Sequence, residues 1–157
     1  PYILNTTISY EYEPVTKEVM EERMNKGMVN YPFLVMELNG EVVGYAYASK
    51  YHERAAYQWD CSTSVYVKEG YGGKGIGTKL YKKLLRVIEQ MGFCNVYVLI
   101  NYPNNASEKL HKAFGFKQIG IYEKTGFKHG RWISLLSMGL RVSEIPGEID
   151  YDWMKYI

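Results

Sequence analysis

Four glycines crowd into the stretch Gly72-Gly73-Lys74-Gly75-Ile76-Gly77, between a strand-like run ending at Val67 and an amphipathic run that starts at about Gly75. Few folds accommodate this. Glycine lets the backbone reach positive φ and approach a ligand closely. A helix start adds unsatisfied N–H groups and the positive end of a dipole. Together they suit a phosphate or pyrophosphate, although the same composition also serves a loop that only turns the chain. The P-loop pattern fails, because Gly-Lys-Ser/Thr is not formed at the required place. The dinucleotide fingerprint fails as well, because Thr78 stands where its last glycine belongs. What remains is Gly72-x-x-Gly75-x-Gly77 after the strand end Val65-Tyr66-Val67.

Around this turn, hydrophobic periodicity divides the chain into elements. The stretch Tyr2 to Glu13 alternates as an edge strand would, and Pro14 to Met28 carries Val19, Met20, Arg23, Met24 and Met28 at helical spacing. Phe33 to Leu38 and Glu41 to Ser49 read as a hairpin about Asn39-Gly40. A strand is predicted from Tyr57 to Val67, with Trp59, Cys61, Thr63, Val65 and Val67 on one face and Asp60, Ser62, Ser64 and Tyr66 on the other. The helix from Gly75 to Met91 has Ile76, Leu80, Leu84, Val87, Ile88 and Met91 as its apolar stripe, Lys79, Lys82, Lys83 and Arg86 as its solvated face, and Gly92 as its cap. Asn95 to Ile100 is apolar enough for a central strand. A short helix follows Asn104-Asn105 to about Phe114, ended by Gly115. Strands Lys117 to Glu123 and Arg131 to Leu140 flank a turn from Gly126 to Gly130. Hairpins mixed with strand–helix–strand crossovers predict an α+β (mixed α/β) domain: a mixed sheet with helices on its faces.

The 157 residues suffice for a single domain over 1–157, with 143–157 as a tail that wraps the surface or meets a partner. A net charge of +2 argues against nucleic-acid binding. Cys61 and Cys94 sit in apolar runs and read as buried thiols of a reducing compartment. Metal binding is not expected, since the cysteines lack ligand spacing and His52, His111 and His129 are scattered. No run reaches the roughly 18 apolar residues of a membrane span, and no signal peptide is recognisable, so a cytoplasmic protein is expected. The chain begins at Pro1 without a methionine, as a fragment or processed product would.

The glycine spacing resembles the Gln/Arg-x-x-Gly-x-Gly/Ala loop of the GNAT superfamily of N-acetyltransferases. The likeness runs from about Tyr31 to Leu140 and is nearest to the phosphinothricin acetyltransferase branch. It is carried by Tyr31-Pro32-Phe33-Leu34-Val35, Gly40 to Ala48, Ala56-Tyr57-Gln58-Trp59, Ser64-Val65-Tyr66-Val67, Pro103-Asn104, Leu110-His111, Phe114-Gly115-Phe116 and Gly126 to Trp132. The resemblance implies a mostly antiparallel sheet in which two central parallel strands splay to admit acetyl-CoA. It also implies a further strand and helix ahead of this region, expected to lie outside these residues, and a homodimer.

On the same resemblance, Val65, Tyr66 and Val67 pair with the pantetheine arm like an added strand, and a backbone N–H near Val65 serves as oxyanion donor. Gly72, Gly73, Lys74, Gly75, Ile76, Gly77 and Thr78 hold the pyrophosphate, and Asn104 and Ser107 bind from the other side; the alternative for Asn104 is a turn and helix cap alone. His111 stands where the wider superfamily has a tyrosine acid, and is either the proton donor or a packed polar residue. Arg54 and Tyr57 match the amino-acid site, and Lys128 and Trp132 the loop that closes it. Two departures matter. Ser62 replaces the branch's glutamate base, leaving Asp60, about 7 Å away by strand geometry, either to act through water or to be a solvated charge. The branch's Trp-x-Asp reads Trp132-Ile133-Ser134. The implied reaction is direct attack of a small-molecule amine, an amino acid or analogue, on acetyl-CoA. The alternatives are a non-catalytic acyl-CoA-binding module and a protein-amine acetyltransferase.

Overall fold

A computed structural model describes residues 11–157 together with Leu4. The edge strand expected over Tyr2 to Glu13 lies mostly outside the described residues, and no strand forms at 11–13. Six strands and three helices follow among the described residues. They are α1 (Lys17–Met28), β1 (Phe33–Leu38), β2 (Glu41–Lys50), β3 (Asp60–Val67), α2 (Ile76–Gln90), β4 (Asn95–Tyr102), α3 (Asn105–Ala113), β5 (Lys117–Lys128) and β6 (Arg131–Arg141). The strands form one sheet in the order β1-β2-β3-β4-β6-β5. Every neighbouring pair is antiparallel except β3 and β4.

That exception positions the site. The β3–β4 ladder has three pairs, Asp60↔Asn95, Cys61↔Val96 and Ser62↔Tyr97, and then ends. Each strand keeps its outer partner, β2 for β3 and β6 for β4, as far as Val67 and Tyr102 respectively. The sheet therefore forks in its middle while each half keeps its outer ladder.

Alternation on β3 falls as expected. Cys61 and Thr63 are buried with Ala46 and Ala48 of β2 and Val96, Val98 and Ile100 of β4 under α2. The whole predicted stripe of α2 is buried, joined by Tyr81 and Leu85. The opposite face is aromatic: Phe33 stacks between Tyr45 and Tyr47, and Tyr45 on Tyr66. Helix α1, capped by the Thr16 hydroxyl accepting from the Val19 N–H, has no buried residue; its methionines are half-buried, while Val19 and Arg23 are exposed.

Three expectations are corrected. The third strand begins at Asp60; Ala55–Tyr57 instead form a 3-10 turn in the connection from β2 to β3. Strand β5 runs on through Gly126 and Phe127 to Lys128, which pair with Ile133, Trp132 and Arg131, after an irregularity between Tyr122 and Gly126. The turn is thus only His129-Gly130, both at positive φ (50° and 70°), the conformation a two-residue hairpin requires. And Lys83, read as solvated, is half-buried and donates to the Tyr156 carbonyl at 3.0 Å. The tail wraps the domain, with Trp153 buried.

Candidate active site

Past the fork, a cleft of about 700 Å³ opens on the helix side of the sheet. Its walls are Thr63 to Val67 of β3, Val98 to Asn101 of β4, the glycine turn with the start of α2, and one face of α3 with Asn104. Consecutive backbone N–H groups of a strand point alternately to its two sides. Beyond Ser62, every second residue of β3 therefore turns its amide edge toward the gap rather than toward β4.

At the outer end, Gly73 and Gly75 have φ of 74° and 76°, and a Cβ built at either would meet nothing within 4 Å. Space is not what excludes side chains there; the left-handed backbone is. Gly75 is the N-cap of α2 and has no side chain to satisfy the first-turn N–H groups. Gly77 lies closer in, where a Cβ would stand 3.4 Å from a Val67 methyl. The loop before the glycines is pinned: Glu41 pairs with Lys68 and accepts from the Tyr71 hydroxyl at 2.9 Å, contacts that hold its carboxyl below the usual range, Lys68 first. The Lys74 ammonium lies 4.8 Å over the Tyr71 ring. Left-handed backbone and N–H groups without a side-chain cap thus face this end of the cleft, an arrangement that suits an anion.

The far wall is α3. Its N-cap is Asn104, whose Oδ1 accepts from the Ser107 N–H at 3.2 Å. One turn on, the Ser107 carbonyl lies 2.7 Å from His111 Nδ1. A carbonyl only accepts, so Nδ1 carries the proton and Nε2 is the bare nitrogen. His111 is 1% exposed, and Nε2 is buried with no hydrogen-bond partner. Burial lowers its pKa below the ordinary histidine value, against the opposing pull of the Ser107 carbonyl. The resting ring is therefore neutral, with a lone pair rather than a proton at Nε2.

The other predicted residues do not line this cleft. Asp60 and Ser62 point to the opposite face of β3, where Asp60 accepts from Asn95 Nδ2 at 2.7 Å. In register with Ser62 on that face is Tyr97, stacked on Tyr51 at 4.3 Å; Tyr51 in turn meets Tyr57 edge-on at 6.1 Å. Burial, then the neighbouring Tyr122 and Asp60, raise the Tyr51 pKa. So Asp60, Ser62 and Tyr57 collect at one tyrosine-rich patch, across the sheet from His111. Arg54 is exposed on the loop beside that patch. Lys128 is 2% exposed at the end of β5, whereas Trp132 is 60% exposed and packs edge-on to Phe127 at 5.2 Å. A separate hollow of about 580 Å³, bordered by Met20 and Met24 of α1 and by Tyr45, Tyr47 and Tyr66, lies over the aromatic face.

Sequence reasoning missed Thr63 and Tyr81. Their hydroxyls are 2.6 Å apart at the blind end of the cleft. The available signal was a lone threonine on a face otherwise made of Cys61, Val65 and Val67.

No helix among the described residues is long and apolar enough to cross a membrane, and no group of three or more His, Cys, Asp or Glu among them could hold a metal ion.

Comparison with known proteins agrees with this geometry. Residues 2–136 match the acetyltransferase (GNAT) domain family. A phosphinothricin N-acetyltransferase of Streptomyces viridochromogenes is 37% identical over 131 residues, 83% of this chain and 72% of the relative. An L-methionine sulfoximine/L-methionine sulfone acetyltransferase of Salmonella typhimurium is 36% identical over 120 residues, 74% of this chain and 68% of the relative. The crystal structure of a GNAT superfamily phosphinothricin acetyltransferase from Sinorhizobium meliloti, in complex with acetyl-CoA, superposes with a TM-score of 0.90 at 33% identity, covering 99% of this chain and 88% of that one. The forked sheet, the uncapped glycine-led helix and these relatives make the chain a member of the GNAT family and an acetyl-CoA-dependent N-acetyltransferase.

Proposed function

We propose that the chain acetylates the amine of a small carboxylate-bearing molecule, an amino acid or close analogue, with the two reactants entering from opposite faces of the forked sheet. The observation that carries this is the end of the parallel ladder at Ser62↔Tyr97, with the anion-ready cleft on one side and the Tyr51, Tyr57, Tyr97 patch on the other. The relatives named for phosphinothricin and methionine sulfoximine support the substrate class.

In this reading, Gly72 to Thr78 hold the pyrophosphate, the edge of β3 from Val65 to Val67 aligns the pantetheine arm, and Asn104 and Ser107 bound it from α3. Acetyl-CoA supplies an acetyl thioester whose sulfur leaves as a thiolate. Arg54, beside the tyrosine patch, matches a carboxylate in charge and geometry. Ser62 cannot act as a base, and Asp60 is engaged by Asn95. A peptide α-amine, with a pKa near ~8, is already partly neutral at neutral pH; the amine of a free amino acid is more basic, so less of it is neutral there and turnover should rise with pH. His111 relays a proton at Nε2: the bare lone pair accepts one as the amine is acylated, and the buried imidazolium, a strong acid in that setting, releases it to the sulfur.

The test is free-thiol release from acetyl-CoA with a panel of amino acids, phosphinothricin and methionine sulfoximine, alongside the same amines lacking the carboxylate. Turnover confined to carboxylate-bearing amines supports the proposal; equal turnover without the carboxylate overturns it. The pair of copies implied by the family is checked by light scattering: twice 18.2 kDa supports it, and a single mass removes it.

A further inference from the structure

The cleft is open along the glycine turn and closed where β3 and β4 rejoin. Thr63 is the first residue of β3 past the fork. Its Oγ1 stands 2.6 Å from Tyr81 Oη and 3.5 Å from the Tyr97 carbonyl, which it reaches as donor. Thr63 is 4% exposed and Tyr81 fully buried. Behind them the Tyr81 ring meets His111 edge-on at 4.9 Å and Phe116 at 5.9 Å, and His111 meets Phe116 at 5.2 Å. Val98 of β4, 6% exposed, closes the other side.

A buried tyrosine hydroxyl must find a partner, and Thr63 supplies it. A β-branched residue is already stiff at χ1; with its hydroxyl tied to Tyr81 and directed at the Tyr97 carbonyl, its methyl is held in one place. The blind end therefore has a fixed shape, backed by packed rings that cannot yield without disturbing α2 and α3 together.

We propose that Thr63, held by Tyr81, is a specificity-determining residue that limits the acyl group accepted from coenzyme A to the acetyl size. This rests on the cofactor placement proposed above: with the pyrophosphate at Gly72 to Thr78, the thioester lies toward the opposite, closed end. A longer acyl chain would have to displace the Thr63 side chain or Val98. A single methylene in such a pocket is discriminated by roughly 10–200-fold.

The experiment is titration calorimetry of acetyl-CoA, propionyl-CoA, butyryl-CoA and free CoA on the whole chain, which needs no amine substrate. Wild type should bind acetyl-CoA more tightly than butyryl-CoA. Thr63→Ala should narrow that ratio by roughly tenfold, Thr63→Ser should narrow it less, and Thr63→Val, which keeps the bulk but loses the tie to Tyr81, should narrow it far less than Ala. No preference in wild type overturns the proposal. So do ratios within about twofold of wild type in both the Ala and Ser variants, or a ratio relaxed as much by Val as by Ala. Gly75→Val separates the two readings. If it weakens all four ligands alike while keeping the wild-type circular dichroism spectrum and a cooperative unfolding transition, the placement stands and the ratios judge Thr63 alone. If it leaves them unchanged, the placement fails and the size limit fails with it.

Discussion

At His111 the Ser107 carbonyl accepts a hydrogen bond from Nδ1–H, and burial among Tyr81 and Phe116 disfavours a second proton on the ring. The consequence for stability has a definite sign. An unfolded histidine titrates near ~6.5, and the folded pKa is lower, so below that pH the unfolded chain binds a proton that the native chain refuses. Stability is retained above the unfolded pKa and lost as pH falls toward the folded one. His111→Phe, which suits the aromatic surroundings, should lose less Tm than wild type between about pH 7.5 and about pH 5.5; an identical loss would show that the ring is not buried in its neutral form. For catalysis, the relay starts from the neutral ring, so kcat should fall below the His111 pKa and should not fall as pH rises above it. A kcat that falls with rising pH through that range would restore a simple proton donor. Ser62 belongs to the same scale. It stands on the tyrosine face at the fork, so Ser62→Glu installs a carboxylate beside the Tyr97 ring. Activity on more basic amines should rise by roughly tenfold or more, as general-base assistance allows, and a drop in the thiol-release assay would mean that the patch does not hold the amine.

At the scale of elements, the join between α2 and the sheet depends on Gly44. A Cβ there would lie 3.0 Å from Ile76 Cγ2, 3.0 Å from the Tyr66 carbonyl and 3.1 Å from Leu80 Cδ1. The carbonyl belongs to β3 and cannot retreat, so Gly44→Ala should cost about 1–3 kcal/mol by overpacking, read from denaturant unfolding. Helix α3 depends on its cap. Asn104→Ala should cost about 1 kcal/mol, whereas Asn104→Asp keeps the accepting oxygen and loses only the amide donor. If Asn104 also binds the cofactor, the Asp variant keeps its Tm and weakens acetyl-CoA binding by roughly tenfold; an unchanged Kd leaves it as a cap alone. These elements were largely legible in sequence, because their signals are local: Asn39-Gly40 for the hairpin, the stripe of α2, and the glycines at 92 and 115. The errors fell where distant pairing decides. Gly126 looked like a turn residue until its partner Ile133 was known, and Tyr57 looked like strand until Asp60 proved to be the first residue with partners on β4. The glycine turn was readable for the same local reason. The Thr63–Tyr81 contact was not, since its two halves sit on different elements and only the fold brings them together.

For the whole molecule, the tail acts as a strap at the end of α2 remote from the glycine turn. The Trp59 indole donates to the Gly147 carbonyl at 2.7 Å, the Asp150 N–H to the Met91 carbonyl at 2.9 Å, and the Trp153 indole to the Met28 carbonyl at 2.7 Å. The strap crosses Gly92 so closely that a Cβ there would stand 2.9 Å from the Glu148 carbonyl. Lys83 of α2 donates to the Tyr156 carbonyl, and Tyr156 to Asp150 Oδ2 at 2.7 Å. One segment thus ties the end of α1, the end of α2 and the approach to β3, all remote from the glycine turn. Truncating Trp153, which is 5% exposed, empties a large buried volume and strands the Met28 carbonyl. A cost of about 3–5 kcal/mol is expected for Trp153→Ala, a large share of the ~5–15 kcal/mol that holds a domain together. The cleft, by contrast, is framed by β3, β4, α3 and the start of α2, none of which touches Trp153 through these bonds. Denaturant unfolding should therefore show the full loss while calorimetry at low temperature shows acetyl-CoA affinity within about twofold of wild type, as additivity for separated sites requires. A variant that keeps its stability would mean that the strap is only laid on the surface. One that loses stability and acetyl-CoA affinity together would mean that the two ends of α2 are coupled, and that the fork is held open by the whole molecule rather than by its own strands.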